Sequence, residues 1–369
     1  MRYRRLGKTN LSVSVIGFGA IKLPHVDLQT AIEVIRKAVE LGINFIDTAR
    51  GYGDSETKIG KAINGMRDKV IIATKTVARD AEGARRDLEK SLRELSVDYI
   101  DLYQLHSVSD EETYEQVMSI GGAYEALLKA KDEGKVRHIG ITMHRALETM
   151  KKAIESDCFE TIMLAYSPLD QEGVRKEIIP MAYEHDMGII IMKPLSGGQL
   201  RSRINPSPTD PPEKDEIVFE SLRFIISNEM ISTVIPGMTC VREVVENAWV
   251  GDAPLPMSES EKRKLMEAIG NLRKQFRYGQ ACLRCEYCMP CPQGIRIPDV
   301  FLAYDMWSGY PENLRHLGIQ LYMSLDVKPD ACVECGECEE KCPAGLPIRQ
   351  RLKEVMKELE PQTQKLERG

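Results

Sequence analysis

The chain has 369 residues, 43% of them hydrophobic, and a formal charge of -6, so it is long enough for two domains and apolar enough to bury a core. Charges of both signs are spread along it, which argues against nucleic-acid binding and a polybasic membrane anchor. No apolar stretch approaches the roughly 18 residues of a membrane span. The first residues lack the apolar region of a signal peptide, so we expect a cytoplasmic protein.

The first predicted element is a β-hairpin around "GKTN" (7–10), which could close the floor of a barrel. Eight short, almost uninterrupted apolar runs follow, as expected for parallel strands buried on both faces. The predicted strands are 14–19, 43–47, 70–75, 100–106, 136–142, 160–166, 187–193 and 231–236.

Amphipathic stretches lie between these runs, for example 28–42, 82–95 and 122–134, and they predict helices. Eight strand–helix units in succession favour an α/β fold of the (β/α)8 TIM barrel type. The alternative is an open doubly wound sheet, but "GFGAIKLP" after the first run is a poor match to the phosphate loop of that fold. The stretch 196–216, rich in Pro, Ser and charge, predicts a long loop at the carboxyl end of the barrel.

Polar side chains stand at or just after three successive predicted strand ends. Asp47 and Tyr52 belong to "NFIDTARGYG", Lys75 ends "IIATK", and His106 ends "LYQLH". Strand ends of a barrel converge on one mouth, so these four residues are the candidate catalytic set.

The chemistry of this set suits proton delivery to a carbonyl oxygen. Free tyrosine, with a pKa of about 10, is a weak acid near neutrality, and a nearby ammonium stabilises its phenolate. An aspartate would keep that lysine charged and oriented, and a histidine can donate to the same oxygen.

The segments "INFIDTARGYGDSE", "VIIATK" and "IDLYQLH" resemble the signature segments of the aldo-keto reductases over roughly residues 1–250. The resemblance implies that Tyr52 is the general acid/base with Asp47, Lys75 and His106 as partners. It also implies hydride transfer between NADP or NAD and a small carbonyl or alcohol substrate.

Departures from the family pattern occur on the cofactor side. Where the family has a Ser-Asn pair, a Gln and a stacking aromatic at the nicotinamide, this chain has Thr142 and Met143, Met163, and Met192. We therefore expect a more apolar ring pocket, with Thr142 and Met192 as its candidate contacts. A flavin is conceivable in such a pocket, although no motif supports one.

The segment "VIPGMTCVREVVEN" is similar to the family's adenosine-phosphate segment. The resemblance implies contacts from Glu246 and Asn247 to the adenine. Gly237 and Glu243 stand where NADPH-selective members are basic, and neighbouring Arg242 could serve instead. Glu243 would repel the 2′-phosphate of NADP, so we expect NAD as readily as NADP to be the cofactor.

Eight of the ten cysteines lie beyond residue 280, in two runs that each end in Cys-Pro. The second run has the bacterial ferredoxin spacing for a [4Fe–4S] cluster, in which the fourth cysteine binds the other cluster. Zinc is the alternative, but four cysteines in so tight a run are unusual for it. The predicted ligand sets are Cys282, Cys285, Cys288 and Cys342 for one cluster, and Cys332, Cys335, Cys338 and Cys291 for the other.

The residues between the two runs have a helical pattern, so we predict a small α-helical ferredoxin-like domain. The predicted domains are an aldo-keto reductase-like barrel at 1–255, a linker helix at 256–281 and the two-cluster domain at 282–369. Taken whole, the chain resembles aldo-keto reductase–ferredoxin fusions.

We expect an oxidoreductase whose clusters relay electrons, with a ferredoxin or another redox protein as a possible partner. One alternative is a carbonyl reductase whose clusters are purely structural. Another is an electron-shuttle or binding protein without catalysis, against which the complete set of Tyr52 and its partners argues.

Overall fold

The computed structural model describes residues 1–108, 110–144, 146–169, 173–198, 200, 211–275, 282, 287–309, 315–342 and 345–367. The chain divides into two compact units, Met1–Leu265 and Met266–Gly369. The division falls inside helix Glu259–Gln275. Residues 276–281 of the predicted linker, and residues 199 and 201–210 of the predicted loop, lie outside the described residues.

The first unit alternates strands and helices. Its strands are β1 Tyr3–Arg5, β2 Ser12–Ser14, β3 Phe18–Gly19, β4 Phe45–Asp47, β5 Ile71–Thr76, β6 Ile100–Leu105, β7 Val136–Met143, β8 Thr161–Ala165, β9 Gly188–Met192 and β10 Thr233–Ile235. Its helices are α1 Leu28–Glu40, α2 Ser55–Ala62, α3 Ala81–Leu95, α4 Glu111–Met118, α5 Ala123–Asp132, α6 Leu147–Glu155, α7 Ile179–Glu184, α8 Glu216–Ile226, α9 Val241–Val250 and, extending into the second unit, α10 Glu259–Gln275.

Strands β3 to β10 form one parallel sheet in sequence order. Parallel bridges from Ile16 to Val234 and from Gly19 to Gly237 join its first and last strands, so the sheet closes. The predicted (β/α)8 barrel is confirmed. Its first strand, Phe18–Gly19, is shorter than the predicted 14–19. The two ends of the sheet approach closely there, since a Cβ on Gly19 would stand 2.8 Å from the carbonyl oxygen of Ile235.

The barrel strands have two apolar faces, as the uninterrupted apolar runs predict. On β4 and β5, Phe45 and Ala73 belong to a cluster inside the barrel, whereas Ile46 and Ile72 belong to the larger core under the helices. This alternation decides which residues at a strand end point into the mouth.

The N-terminal hairpin is confirmed. Strands β1 and β2 pair in antiparallel register, and fully buried Leu6 and Val13 belong to the interior barrel cluster. The hairpin therefore contributes apolar side chains to the inside of the barrel and leaves the carboxyl ends of the strands for polar residues.

Helix α1 shows why the amphipathic stretches fold as predicted. The Asp27 carboxylate accepts a hydrogen bond from the Thr30 backbone N–H, which caps the helix. Ala31, Val34 and Ile35 are buried on one face. Gly42, with φ of +85°, takes the left-handed conformation that follows many helix ends.

The second unit is helical in its described part. Its further helices are α11 Ile297–Gly309, α12 His316–Met323, α13 Glu337–Glu340 and α14 Ile348–Glu367. Val300 of α11, Tyr322 of α12 and Leu352 of α14 share a core of their own. None of the helices in the described residues is both long and apolar enough to cross a bilayer.

The close fit of the N-terminal hairpin yields a stability prediction. Gly7 has a φ of +50°, and a Cβ there would overlap the backbone nitrogen of Gly188. Replacing Gly7 by Ala should lower the free energy of unfolding by about 3 kcal/mol, from overpacking and left-handed strain together. Denaturant unfolding followed by circular dichroism measures the change.

Gly65 provides the matched control. Its φ of +81° is also left-handed, but nothing lies within 4 Å of a Cβ built there. Gly65→Ala should therefore lower the free energy of unfolding by the backbone strain alone, about 1 kcal/mol. Equal costs at the two positions would contradict the close packing of Gly7 against β9.

Candidate active site

The polar residues of the mouth come from the inward positions of adjacent strands. Asp47 ends β4, and Lys75 follows Ala73 on the inward face of β5. Lys75 pairs in register with Gln104 of β6. Because neighbouring parallel strands end at the same edge of the barrel, these side chains meet above the apolar interior.

Lys75 and Asp47 form a buried ion pair. The Lys75 Nζ lies 2.7 Å from Asp47 Oδ2, and the two side chains are 1% and 4% exposed. Lys75 also donates to the Thr48 carbonyl at 2.7 Å. Burial lowers the pKa of Lys75 and raises the pKa of Asp47, and the ion pair opposes both shifts. Each residue therefore depends on the other to stay charged.

Tyr52 and His106 lie beside this pair. The Lys75 Nζ is 5.1 Å from the centre of the Tyr52 ring, and the rings of Tyr52 and His106 are 5.8 Å apart at 80°. Burial, and then the positive charges of Lys75, Arg79 and Lys193, hold the pKa of His106 well below its usual value. His106 is therefore a neutral imidazole near pH 7. The structure brings together all four residues predicted for catalysis.

The buried carboxylate of Glu56 anchors the segment that carries Tyr52, and the sequence analysis did not identify it. Glu56 is fully buried; it forms an ion pair with Arg50 and accepts from Thr74 Oγ1 at 2.6 Å. Arg50 also binds Glu94 at 2.6 Å. The sequence signal that could have identified Glu56 is its position, four residues after the candidate catalytic Tyr52.

A second pair at the mouth was also missed. Lys193 follows β9 and His144 follows β7, and the Lys193 Nζ lies 3.2 Å from His144 Nδ1. Both residues stand just beyond strand ends, which is the signal that identified Lys75 and His106.

The structure separates the methionines expected around the nicotinamide. Met143 is fully buried in the core under the helices, so it faces away from the mouth, and its expected place in the ring pocket is wrong. Met163 belongs to the interior cluster, and partly buried Met192 packs against that cluster from the end of β9. Thr142 is buried, and its Oγ1 accepts from the Ser107 N–H at 2.8 Å.

The residues expected at the adenosine end lie on and before α9. Gly237 is exposed at the end of the barrel, and Asn247 is buried. Arg242 donates to both carboxylate oxygens of Glu246 at 3.0 Å. Glu243 accepts from the Thr239 N–H at 2.7 Å. A guanidinium, an amide and the N-terminus of a ten-residue helix are donors that fit a phosphate-bearing cofactor.

In the second unit, five of the predicted cluster cysteines line one cavity. They are Cys288, Cys291, Cys332, Cys335 and Cys338. This lining includes all four cysteines of the second predicted set, namely Cys291 from the first run and Cys332, Cys335 and Cys338 from the second. The fifth, Cys288, belongs to the first predicted set. Cys282 and Cys342 are buried in the same helical core. Cys285 lies outside the described residues.

The cysteines that line this cavity are thiol donors of the kind that an iron–sulfur cluster requires. Burial and the neighbouring Glu339, Cys332 and Cys335 raise the pKa of Cys338 to about 11. Bound iron would compensate for the cost of holding such thiols as thiolates. Among the described residues, no three His, Cys, Asp or Glu side chains converge closely enough to hold a single metal ion.

Comparison with known proteins supports both halves of the chain. The model of the aldo/keto reductase family matches residues 15–219, and that of a 4Fe-4S dicluster domain matches residues 279–346. L-galactose dehydrogenase of Arabidopsis thaliana is 31% identical over 73% of this chain and 95% of its own.

Solved structures agree with this match. Aldo-keto reductase AKR11C1 of Bacillus halodurans, in its holo form, has a TM-score of 0.61 at 27% identity, covering 72% of this chain and 96% of its own. An aldo/keto reductase of Klebsiella pneumoniae, in complex with NADP and acetate, has a TM-score of 0.58 at 25% identity, covering 72% and 95%.

The buried ion pair makes a prediction about stability. Asp47→Asn should lower the free energy of unfolding by about 3–5 kcal/mol, because it leaves Lys75 buried without its counter-charge. Glu40→Gln is the matched control, since it removes an exposed partner of Lys37 at 2.9 Å and should cost less than about 1 kcal/mol. If the two variants unfolded at the same denaturant concentration, the stabilising role of the Lys75–Asp47 pair would be wrong.

Proposed function

The chain belongs to the aldo/keto reductase family and carries a 4Fe-4S dicluster domain, and we propose that it interconverts a small carbonyl compound and its alcohol with Tyr52 as general acid and base. The observation that carries the proposal is the position of Tyr52, whose ring lies 5.1 Å from the buried Lys75 ammonium and 5.8 Å from the His106 ring. The groups proposed for proton transfer lie together at the carboxyl ends of the barrel strands, where active sites of this fold are found.

In the reducing direction, the Tyr52 hydroxyl gives its proton to the carbonyl oxygen. The Lys75 ammonium stabilises the phenolate that remains, and Asp47 keeps Lys75 charged and in place. His106, as a neutral imidazole, can donate an N–H to the same oxygen. A bound nicotinamide cofactor supplies the hydride that the carbonyl carbon accepts. In the oxidising direction, the Tyr52 phenolate takes the proton back.

We assign the nicotinamide to the part of the mouth near Thr142 and Met192, and the adenosine end to Gly237, Arg242, Glu246 and Asn247. NADP, which the solved Klebsiella pneumoniae relative holds, and NAD are both consistent with this assignment. Glu246 already balances the charge of Arg242, so the charge available for a 2′-phosphate is reduced.

For the second unit, we propose that the clusters relay electrons to or from an external one-electron carrier such as a ferredoxin. The ligand loop of the second run supports an external partner, since Cys335 and Glu334 are exposed and Val333 is 62% exposed. Carbonyl reduction takes two electrons and each cluster carries one. Such cysteines persist as thiols in a reducing compartment, so the cytoplasm is the proposed location.

The role of Tyr52 predicts a large and specific loss of activity. Tyr52→Phe should lower kcat for carbonyl reduction by about 100-fold or more, since general acid catalysis contributes roughly that much. Tyr99→Phe is the matched control, because Tyr99 immediately precedes β6 at the opposite end of the barrel. Steady-state kinetics with NADPH or NADH and a panel of aldehydes measures both variants. Unchanged kcat in Tyr52→Phe would refute its role as the acid.

The relay predicts a reaction that a simple carbonyl reductase cannot perform. With the oxidised nicotinamide cofactor and a carbonyl substrate present, a reduced viologen dye should be consumed in a two-to-one ratio to alcohol formed. Cys335→Ser should abolish this dye-driven reaction and leave the NAD(P)H-driven one in place. Cys158→Ser, which alters a cysteine of the barrel unit just before β8 and away from the carboxyl ends of the strands, should change neither reaction.

If wild-type protein gave no dye-driven alcohol, or if Cys335→Ser gave as much as wild type, the clusters would be structural rather than a relay. The visible absorbance of the clusters, recorded for each variant, shows which clusters it retains.

A further inference from the structure

The loop that carries Tyr52 is closed by an ion pair between residues on either side of it. Arg50 precedes Tyr52 by two residues, and Glu56 follows it by four, in the first turn of α2. The Arg50 guanidinium binds the Glu56 carboxylate, and the two side chains are 10% and 0% exposed. Within the loop, the Tyr52 N–H donates to the Ala49 carbonyl at 3.0 Å. The pair therefore joins the two ends of a short, tightly folded segment with Tyr52 between them.

The same two residues attach this loop to the strand that carries Lys75. Glu56 Oε1 accepts from Thr74 Oγ1 at 2.6 Å, and Thr74 directly precedes Lys75 on β5. The Arg50 backbone N–H donates to the Lys75 carbonyl at 2.9 Å. Both ends of the Tyr52 loop are thus bonded to β5 next to the ammonium that Tyr52 faces.

The side-chain contacts of the pair lie on the helix side of the barrel wall. Thr74 follows inward-facing Ala73 along β5, so it faces the helices. The Arg50 side chain also binds Glu94 of α3 at 2.6 Å. The Arg50–Glu56 pair is therefore separated from the mouth, where a substrate would bind, by the strands themselves.

Stability alone is a weak reason for two charges at this buried place. Burial raises the pKa of Glu56, whereas the hydrogen bond from Thr74 and the charge of Arg50 oppose this shift. Replacing a buried ion pair by apolar residues of similar size is often neutral or stabilising. Glu56 also acts on the active site: burial lowers the pKa of Lys75, and the charges of Asp47 and Glu56 raise it.

Resting on the proposed function, we infer that the Arg50–Glu56 ion pair positions Tyr52 for proton transfer. It holds the Tyr52 loop against β5, so that the Tyr52 ring stays beside the Lys75 ammonium. Glu56 and Arg50 are then positioning residues, and Tyr52 remains the group that transfers the proton. Breaking the pair would let the phenolate move away from Lys75, which would slow the reaction and have little effect on substrate binding.

Glu56→Gln tests the pair with little change in shape. The amide oxygen can still accept from Thr74, and Arg50 keeps Glu94, but the charge that holds Arg50 to α2 is lost. For carbonyl reduction, kcat should fall about tenfold or more, as expected for a misplaced acid, and KM should change by less than about twofold. Arg50→Gln should also lower kcat, and the double variant should lose no more than the worse single variant, since both changes break one pair. Losses that multiply in the double variant would overturn the inference.

Asp101→Asn is the matched control for burial and charge. Asp101 is also a buried carboxylate, 2.6 Å from Arg67, but it lies near the start of β6 at the other end of the barrel. Asp101→Asn and Glu56→Gln should both lower Tm, because each weakens a buried ion pair, but only Glu56→Gln should lower kcat. If both lowered Tm and neither lowered kcat, the Arg50–Glu56 pair would be purely structural and the inference would fail.

A titration of Tyr52 requires no turnover. The difference in ultraviolet phenolate absorbance between a protein and its Tyr52→Phe variant gives the pKa of Tyr52, because the other tyrosines and the clusters cancel. Glu56→Gln should raise this pKa, since the phenolate moves away from the Lys75 ammonium. Loss of the Glu56 charge without movement would instead lower it, since a nearby negative charge disfavours the phenolate. An unchanged or lowered pKa therefore overturns the inference.

This titration keeps the result distinct from that of the proposed function. A raised pKa of Tyr52 in Glu56→Gln supports the positioning role even if Tyr52→Phe leaves turnover unchanged, in which case the proposed function alone fails. Turnover that is lost in Tyr52→Phe, with kcat and the pKa of Tyr52 both unchanged in Glu56→Gln, overturns the inference and leaves the proposed function standing.

Discussion

The buried ion pair between Lys75 and Asp47 is the interaction on which the candidate active site depends. Two opposite charges that are almost completely removed from water are stable only while they face each other. The pair fixes an ammonium 5.1 Å from the Tyr52 ring and also binds the Thr48 carbonyl. The barrel brings the two residues together, because inward-facing residues at the ends of adjacent parallel strands lie side by side.

The second unit is organised by a different requirement. Its helices bury an apolar core of their own, in which Cys282, Cys288, Cys338 and Cys342 are members. Burial raises the pKa of Cys338 to about 11, and a bound cluster would compensate for the cost of holding it as a thiolate. One cavity is lined by Cys291, Cys332, Cys335 and Cys338 and also by Cys288 of the first predicted set, so cysteines of both runs meet there.

Much of the fold followed from the sequence because a parallel barrel strand is apolar on both faces and therefore stands out as a short uninterrupted run. The first strand, predicted at 14–19, and the last, predicted at 231–236, were overestimated, since they span Phe18–Gly19 and Thr233–Ile235. Single bridges at Ile16 and Gly19 join these two strands to each other. The four candidate catalytic residues were recognisable because they lie at or just after successive strand ends.

The remaining errors have physical reasons. Met143 was expected beside the nicotinamide, but the alternation along β7 turns it toward the helices, while Thr142 faces inward. Lys193 and His144 come from strands that are not adjacent, so a one-dimensional pattern did not connect them. Glu56 was missed because its partner Thr74 lies on β5 and its partner Arg50 is held in turn by Glu94 of α3.

The most direct test of the account is the pH dependence of kcat/KM for carbonyl reduction in a variant that removes the ion pair without leaving a lone charge, Lys75→Met combined with Asp47→Asn. If the Lys75 ammonium stabilises the phenolate of Tyr52, the pH above which the rate falls should move upward in this double variant, toward the value of about 10 for free tyrosine. An alkaline limit that stays where it is in the wild type would contradict the central role of the pair.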